Sequence, residues 1–222
     1  MMKICFVRHG EPDSRTGELT PRGHKQAAAA AERLMHYGIE SVYASTLCRA
    51  QQTAQYTADK LGVDILPCEF IREISWESLD GEPLPAGGEP WRQADLLVSE
   101  GKSLFMADWQ NHYPYNNSKV VERVAQVAEG VDEWLLQLGY RREGDYYRVV
   151  GENTNKTVAM FSHAGSSSAA LSHMVNIPFP HFCGAFRPEH TSITVVYLSD
   201  EVGTLTYPCI CLFNDEKHKE GI

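Results

Sequence analysis

Two histidines in this sequence stand in the same setting. His9 follows Phe6-Val7-Arg8 and precedes Gly10, while His163 follows Phe161-Ser162 and precedes Ala164-Gly165. Each apolar lead-in reads as a buried strand, and in open α/β sheets the ligand site lies just beyond the carboxyl ends of strands. Glycine beside each imidazole lets backbone or ligand approach closely, and a helix starting there would aim free N–H groups at an anion. Arg8 adjoins the first histidine. Arg49 falls in the opening turns of a helix, within Ser45-Thr46-Leu47-Cys48-Arg49-Ala50-Gln51-Gln52-Thr53. Two forked cations beside two imidazoles suit a phosphoryl dianion, whose charge spreads over three equatorial oxygens in the transition state. Singly these residues mean little: a histidine at a strand end is more often structural, as His24, His36, His112, His173 and His218 are read, and an arginine opening a helix is ordinarily solvated. The combination carries the reading.

Such groups need a scaffold that brings distant strand ends together. Ile4 to Val7 is apolar at successive positions, as in a strand covered on both faces. Thr20-Pro21 reads as N-cap and first residue of a helix reaching Tyr37, closed by Gly38, with Gly23 weakening its first turn. A strand at Ser41 to Ala44, a helix from Leu47 to Leu61 stopped by Gly62, and a strand at Val63 to Leu66 complete a β-α-β-α-β alternation. The spacing of Val120, Val124, Val127, Val131, Trp134 and Leu135 predicts a helix over 119–138. Strands are expected at Tyr146 to Val150 and Thr157 to Ser162, joined by a polar turn over 151–155, with a Ser/Ala-rich helix after His163. Ser192 to Leu198 and Leu205 to Phe213 read as a closing hairpin, and the charged tail from Asn214 as frayed. The fold class is therefore α/β, a three-layer sandwich with a mostly parallel central sheet and helices on both faces. It is read as one domain over 1–222, with a lid-like insertion at 82–118 that is rich in Pro, Gly and aromatic residues.

Composition narrows the partners. The 222 residues are 43% hydrophobic, enough for a real core, and carry 20 Lys and Arg against 29 Asp and Glu, a net charge of -9. That balance argues against nucleic acid, whose binding rests on basic side chains, without forbidding a small anion. No run of about 18 apolar residues could span a bilayer, and the opening Met1-Met2-Lys3-Ile4-Cys5-Phe6-Val7-Arg8 is strand-like, so no membrane association and a cytoplasmic location are expected. The six cysteines, Cys5, Cys48, Cys68, Cys183, Cys209 and Cys211, form no CxxC pattern and read as small buried residues in a reducing compartment. Oligomeric state is not legible.

Four motifs in order resemble the histidine phosphatase superfamily, which includes the cofactor-dependent phosphoglycerate mutases. They are Arg8-His9-Gly10-Glu11, the helix start Leu19-Thr20-Pro21-Arg22-Gly23-His24-Lys25-Gln26-Ala27, the arginine segment from Ala44 to Thr53, and Ser162-His163-Ala164-Gly165. The resemblance implies that His9 is the nucleophile forming a phosphohistidine, that Arg8, Arg49 and His163 hold the phosphoryl oxygens with His163 charged, and that no metal or other cofactor is needed. It also implies an acid for the leaving oxygen. Glu73, in a segment whose start is similar to the family's acid motif, is the candidate, its pKa raised by the dianion. Glu77 stands where the family more often has Gly, and Glu77, Asp80 and Glu82 are rivals by chemistry. The segment Glu11 to Glu18 is shorter than the mutase loop, Arg15 could contact substrate instead, and the insertion offers only Arg92 and Lys102 where mutases present paired arginines. The expectation is a histidine acid phosphatase-like phosphomonoesterase acting on a small phosphorylated metabolite. A phosphoglycerate-type mutase or other phosphoryl transferase is the alternative, and a non-catalytic phosphate-binding module the second.

Overall fold

The computed structural model describes residues 1–152 and 154–222. Strand β1 (Met2–Arg8) runs into the first histidine motif and is followed by helix α1 (Pro21–Leu34), strand β2 (Ser41–Ser45), helix α2 (Cys48–Leu61) and strand β3 (Ile65–Cys68). Helices α3 (Pro90–Ser99) and α4 (Val120–Gln137) come next, then strands β4 (Tyr140–Glu143), β5 (Tyr146–Val149) and β6 (Thr157–Ser162). Helices α5 (Ala164–Met174) and α6 (Phe179–Ala185) precede strands β7 (Ile193–Leu198), β8 (Leu205–Thr206) and β9 (Cys209–Asp215).

The main sheet has the order β3-β2-β6-β1-β7-β9. Its first four strands are parallel, and β7 and β9 are antiparallel additions. The continuous apolar character of β1 and β6 follows from their central place. Ile4, Phe6, Val158 and Met160 face a core shared with α4, α5 and α6, while Cys5, Val7, Ala159 and Phe161 face the core under α1 and α2. Thr20 caps α1 as expected, accepting the Gly23 N–H at 3.0 Å, and Gly38 closes the stretch at φ 69° after a short 3-10 turn at Met35–Tyr37. The segment 82–118 folds into α3 and three short 3-10 turns, with α3 lying against α6.

Several expectations change. The third strand starts at Ile65, because Gly62 adopts φ 67° and the Val63 N–H turns back to the Ala58 carbonyl at 3.2 Å, so Val63 finishes the helix. β5 does not lead into a partner strand at β6. It pairs with β4 and β8 in a separate antiparallel sheet, and the intervening turn expected over 151–155 includes Asn153, which lies outside the described residues. The charged Tyr140-Arg141-Arg142-Glu143 gave no alternation to announce β4. The closing hairpin is real between β7 and β9, but Pro208, lacking an N–H, divides the last apolar run so that its first part joins the smaller sheet. The tail is not frayed at Asn214, since β9 continues to Asp215, whose buried carboxylate accepts from Arg33 Nη2 at 2.8 Å and Nε at 3.0 Å. Of the six free cysteines only Cys5, Cys68 and Cys183 are buried. Cys48 opens α2, and Cys209 and Cys211 point outward from an edge strand. Among the described residues no helix is long and apolar enough to cross a membrane.

Candidate active site

Strands β1 and β6 are hydrogen-bonded neighbours with Arg8 opposite Ser162, so the residues that follow, His9 and His163, emerge side by side although 154 positions separate them. Their rings lie 5.0 Å apart between centroids. The His9 N–H donates to the Ser162 carbonyl at 2.9 Å, which continues the ladder into the site. Strand β2 flanks β6 on the other side and ends at Ser45, whose hydroxyl lies 2.7 Å from His163 Nε2. Arg49 enters from the first turn of α2. Thr53 ties these pieces together: its hydroxyl accepts the Gly10 N–H at 3.0 Å and donates to the Arg49 carbonyl at 2.7 Å.

Geometry fixes the state of His9. Its Nδ1 lies 2.7 Å from the Gly10 carbonyl, an acceptor only, so Nδ1 carries the proton and Nε2 keeps its lone pair. Arg49 Nε donates to that Nε2 at 3.1 Å. Burial drives the His9 pKa well below the usual 6.5, with Arg49, Arg8 and His190 adding repulsion and the Gly10 bond opposing them. The imidazole is thus oriented and biased toward its neutral form. His163 is fully buried and is likewise held well below 6.5, by burial first and then by His9, Arg49 and Arg8. Its Nδ1 is buried without a hydrogen-bond partner among the described residues.

Arg8 is anchored by the loop ahead of β7. Its Nη1 donates to the Pro188 carbonyl at 2.9 Å and its Nη2 to His190 Nε2 at 3.0 Å. Since a guanidinium only donates, His190 Nε2 must be the acceptor, and burial followed by Arg8 lowers the His190 pKa to about 4. The His190 ring centroid is 5.6 Å from that of His9. Reading the sequence missed this residue. The available signal was the closing strand itself: β7 runs antiparallel to β1, which sets its start, and the residues just before it, beside the end of β1. Arg15, by contrast, lies on an exposed turn where its guanidinium pairs with Asp13 at 3.3 Å.

Glu73 reaches the cluster from the loop after β3. Its carboxylate accepts the N–H groups of Ile74 at 3.0 Å, Ser166 at 3.0 Å and Gly165 at 3.4 Å, the last two from the first turn of α5. Gly165 makes this possible, because a Cβ there would stand 2.6 Å from Glu73 Oε1. Burial raises the Glu73 pKa from 4.5 against the pull of those N–H groups and of Arg49, so the shift precedes any dianion. Its rivals are engaged at the surface: Glu77 pairs with Lys119 at 2.5 Å, and Asp80 accepts from the Glu82 N–H and from Asn117. His24, His112, His173 and His218 bond to Tyr56, Asp108, Asp132 and Thr191, as structural residues do. The result is two enclosed arginines, neutral imidazoles and one carboxyl biased toward its protonated form, with the Glu189 carboxylate also acting on Arg8. Among the described residues no group of three or more His, Cys, Asp or Glu is disposed to hold a metal ion.

A family model described as the histidine phosphatase superfamily (branch 1) matches residues 4–208. A Yersinia enterocolitica protein described as a probable phosphoglycerate mutase is 30% identical over 208 residues, which cover 88% of this chain and 85% of that protein. An Enterobacter protein of the same description is 34% identical over 122 residues, 47% of this chain and 57% of its own length. With several such curated relatives the match spans little more than half of their length. Among solved structures, a mycobacterial glucosyl-3-phosphoglycerate phosphatase with inorganic phosphate superposes with TM-score 0.67 at 20% identity, covering 97% of this chain and 98% of that one. A phosphoserine phosphatase from Entamoeba histolytica gives 0.66 at 21% identity, covering 98% and 99%. These two share the fold.

Proposed function

The chain belongs to the histidine phosphatase superfamily, and from that premise we propose that it hydrolyses a small phosphomonoester without a metal ion, through a phosphohistidine on His9. The observation that carries this reading is the locked tautomer of His9. With its Nδ1–H on the Gly10 carbonyl, the Nε2 lone pair faces the space between Arg49 and His163. As substrate enters, Arg49 Nε–H exchanges Nε2 for a phosphoryl oxygen, and Arg8 and His163 take the others, the dianion favouring protonation of His163.

In the first step Nε2 attacks phosphorus while the P–O ester bond breaks, and its electron pair leaves on the alcohol oxygen, which takes the Glu73 proton. In the second step Glu73, now a carboxylate, accepts a proton from water as the water oxygen attacks phosphorus. The P–N bond breaks with its pair returning to Nε2, and orthophosphate departs. The raised Glu73 pKa suits both duties, since the group must hold a proton with substrate bound and surrender it readily.

A second reading, phosphoryl transfer to a phosphoglycerate-type acceptor, is favoured by the descriptions of the bacterial relatives. Against it stand Arg92 and Lys102, the insertion's candidates for a second anion, which are paired with Glu89 at 2.8 Å and Glu100 at 2.7 Å. A third, phosphate binding without turnover, fits poorly with an acid enclosed beside the nucleophile. The test is turnover of an aryl phosphate in the presence of chelator, with alkali-stable, acid-labile label trapped on the protein. His9→Ala is expected to abolish both, and retained turnover in that variant would sink the proposal. Label passing to an added acceptor in preference to water would favour the transferase.

A further inference from the structure

A cavity of about 200 Å³ opens directly beside the phosphate-facing cluster. It touches that cluster at three points: Arg8 itself, Ala164 next to His163, and Glu189 next to His190. A phosphoryl group held by Arg8 therefore has this cavity as a neighbour, and its size, on the order of seven water volumes at about 30 Å³ each, sets the leaving group it can house.

Its walls are chemically one-sided. Trp91 of α3 and Phe186 face it, Phe186 being held by Phe182 at 4.7 Å and Phe213 at 5.3 Å between centroids. Cys183 and Ala164 add buried apolar surface, and burial pushes the Cys183 thiol up, so it stays neutral. Ser168 supplies the one neutral hydroxyl of the lining. The remaining charged residues of the lining, Arg187 and Glu189, are exposed. The Arg187 guanidinium is committed to Asp95 of α3 at 2.8 Å, and Glu189 is an exposed carboxylate. A leaving group carrying a carboxylate or a second phosphate would thus meet a cation already paired and an anion that repels it. A polyhydroxylated one would leave most of its hydroxyls without partners. Three other aromatics around the insertion are engaged elsewhere: Trp76 and Trp109 pack on Phe179, and Trp109 on Tyr115.

Resting on the phosphatase reading above, we infer that the preferred substrates are phosphate monoesters of compact, uncharged, apolar alcohols, the leaving group lying between Trp91 and Phe186. Phosphoglycerates and sugar phosphates are the poorer class. Trp91 and Glu189 are the specificity-determining residues, one by attraction and one by repulsion.

The test compares kcat/KM for benzyl phosphate and 2-phenylethyl phosphate with that for glycerol 3-phosphate and 3-phosphoglycerate, all esters of poorly acidic alcohols so that leaving-group chemistry is nearly matched. The aromatic-bearing pair is expected to lead by roughly tenfold or more. Trp91→Ala is expected to collapse that ratio toward one, and Glu189→Lys, at an exposed position that spares the fold, to raise turnover of 3-phosphoglycerate selectively. A preference for glycerol 3-phosphate or 3-phosphoglycerate, or a ratio unmoved in both variants, would overturn the inference while leaving the phosphatase intact. Failure to turn over all four esters and p-nitrophenyl phosphate would overturn the phosphatase reading and this inference with it.

Discussion

At the scale of single residues, protonation states decide what the site can do. His9 stays neutral below its ordinary pKa and Glu73 stays protonated above its own, so in the proposed mechanism nucleophile and acid coexist over a pH range in which free imidazole and free carboxylic acid would not. Glu73→Gln is expected to lower kcat for an alkyl phosphate by roughly 10²–10⁴-fold, yet far less for a nitrophenyl ester, whose oxygen leaves without a proton. Equal losses on both substrates would point to a structural role. The same substitution is expected to raise the melting temperature at neutral pH. The sign follows from linkage: a carboxyl whose folded pKa is raised favours the native state when protonated, and costs stability once pH rises through that pKa. The clustered residues were legible because Arg8, His9, Arg49 and His163 each sit in a recognisable run. His190 was not, since nothing local in Arg187-Pro188-Glu189-His190-Thr191 marks it, and only the antiparallel placement of β7 brings it to Arg8.

At the scale of elements, two glycines hold backbone segments closer than any side chain permits, with different expected consequences. A Cβ at Gly10 would stand 2.6 Å from the Gly23 carbonyl oxygen, a backbone atom that cannot swing aside. Gly10→Ala is therefore expected to cost stability, on the order of 1–3 kcal/mol, measured by denaturant unfolding. At Gly165 the obstacles are the ends of the Glu73 and Ile74 side chains. Gly165→Ala is expected to leave the fold in place and expel the acid, reproducing the leaving-group dependence of Glu73→Gln. If it unfolded the protein instead, the packing account of this loop would be wrong. Central strands and long helices could be read from apolar runs and caps. β4, the separation of β8 from β9 and the true end of β9 could not, because β4 is charged, β8 pairs away from the hairpin with β5, and the burial of Asp215 is purchased by Arg33, a partner 182 positions away.

At the scale of the whole molecule, the site concentrates positive charge within a chain of net charge -9. Three enclosed imidazoles, His9, His163 and His190, have folded pKa values below 6.5, that of His190 at about 4. The unfolded chain binds protons at these positions first, so stability is expected to fall as pH drops from about 6.5 toward 4. Vanadate or phosphate should oppose that loss, since a dianion favours the protonated imidazoles. At a ligand concentration 100 times Kd the gain is about 2.7 kcal/mol, readable as a thermal shift that disappears in Arg49→Ala. The sheet order adds a further consequence. β6 lies between β2 and β1, so the first 150 residues contain the nucleophile, Arg49 and Glu73 but leave the centre of the sheet unfilled. A chain still being synthesised therefore holds His9 on its Gly10 carbonyl but without the neighbouring His163, and Arg8 without its His190 partner, until the later strands slot in.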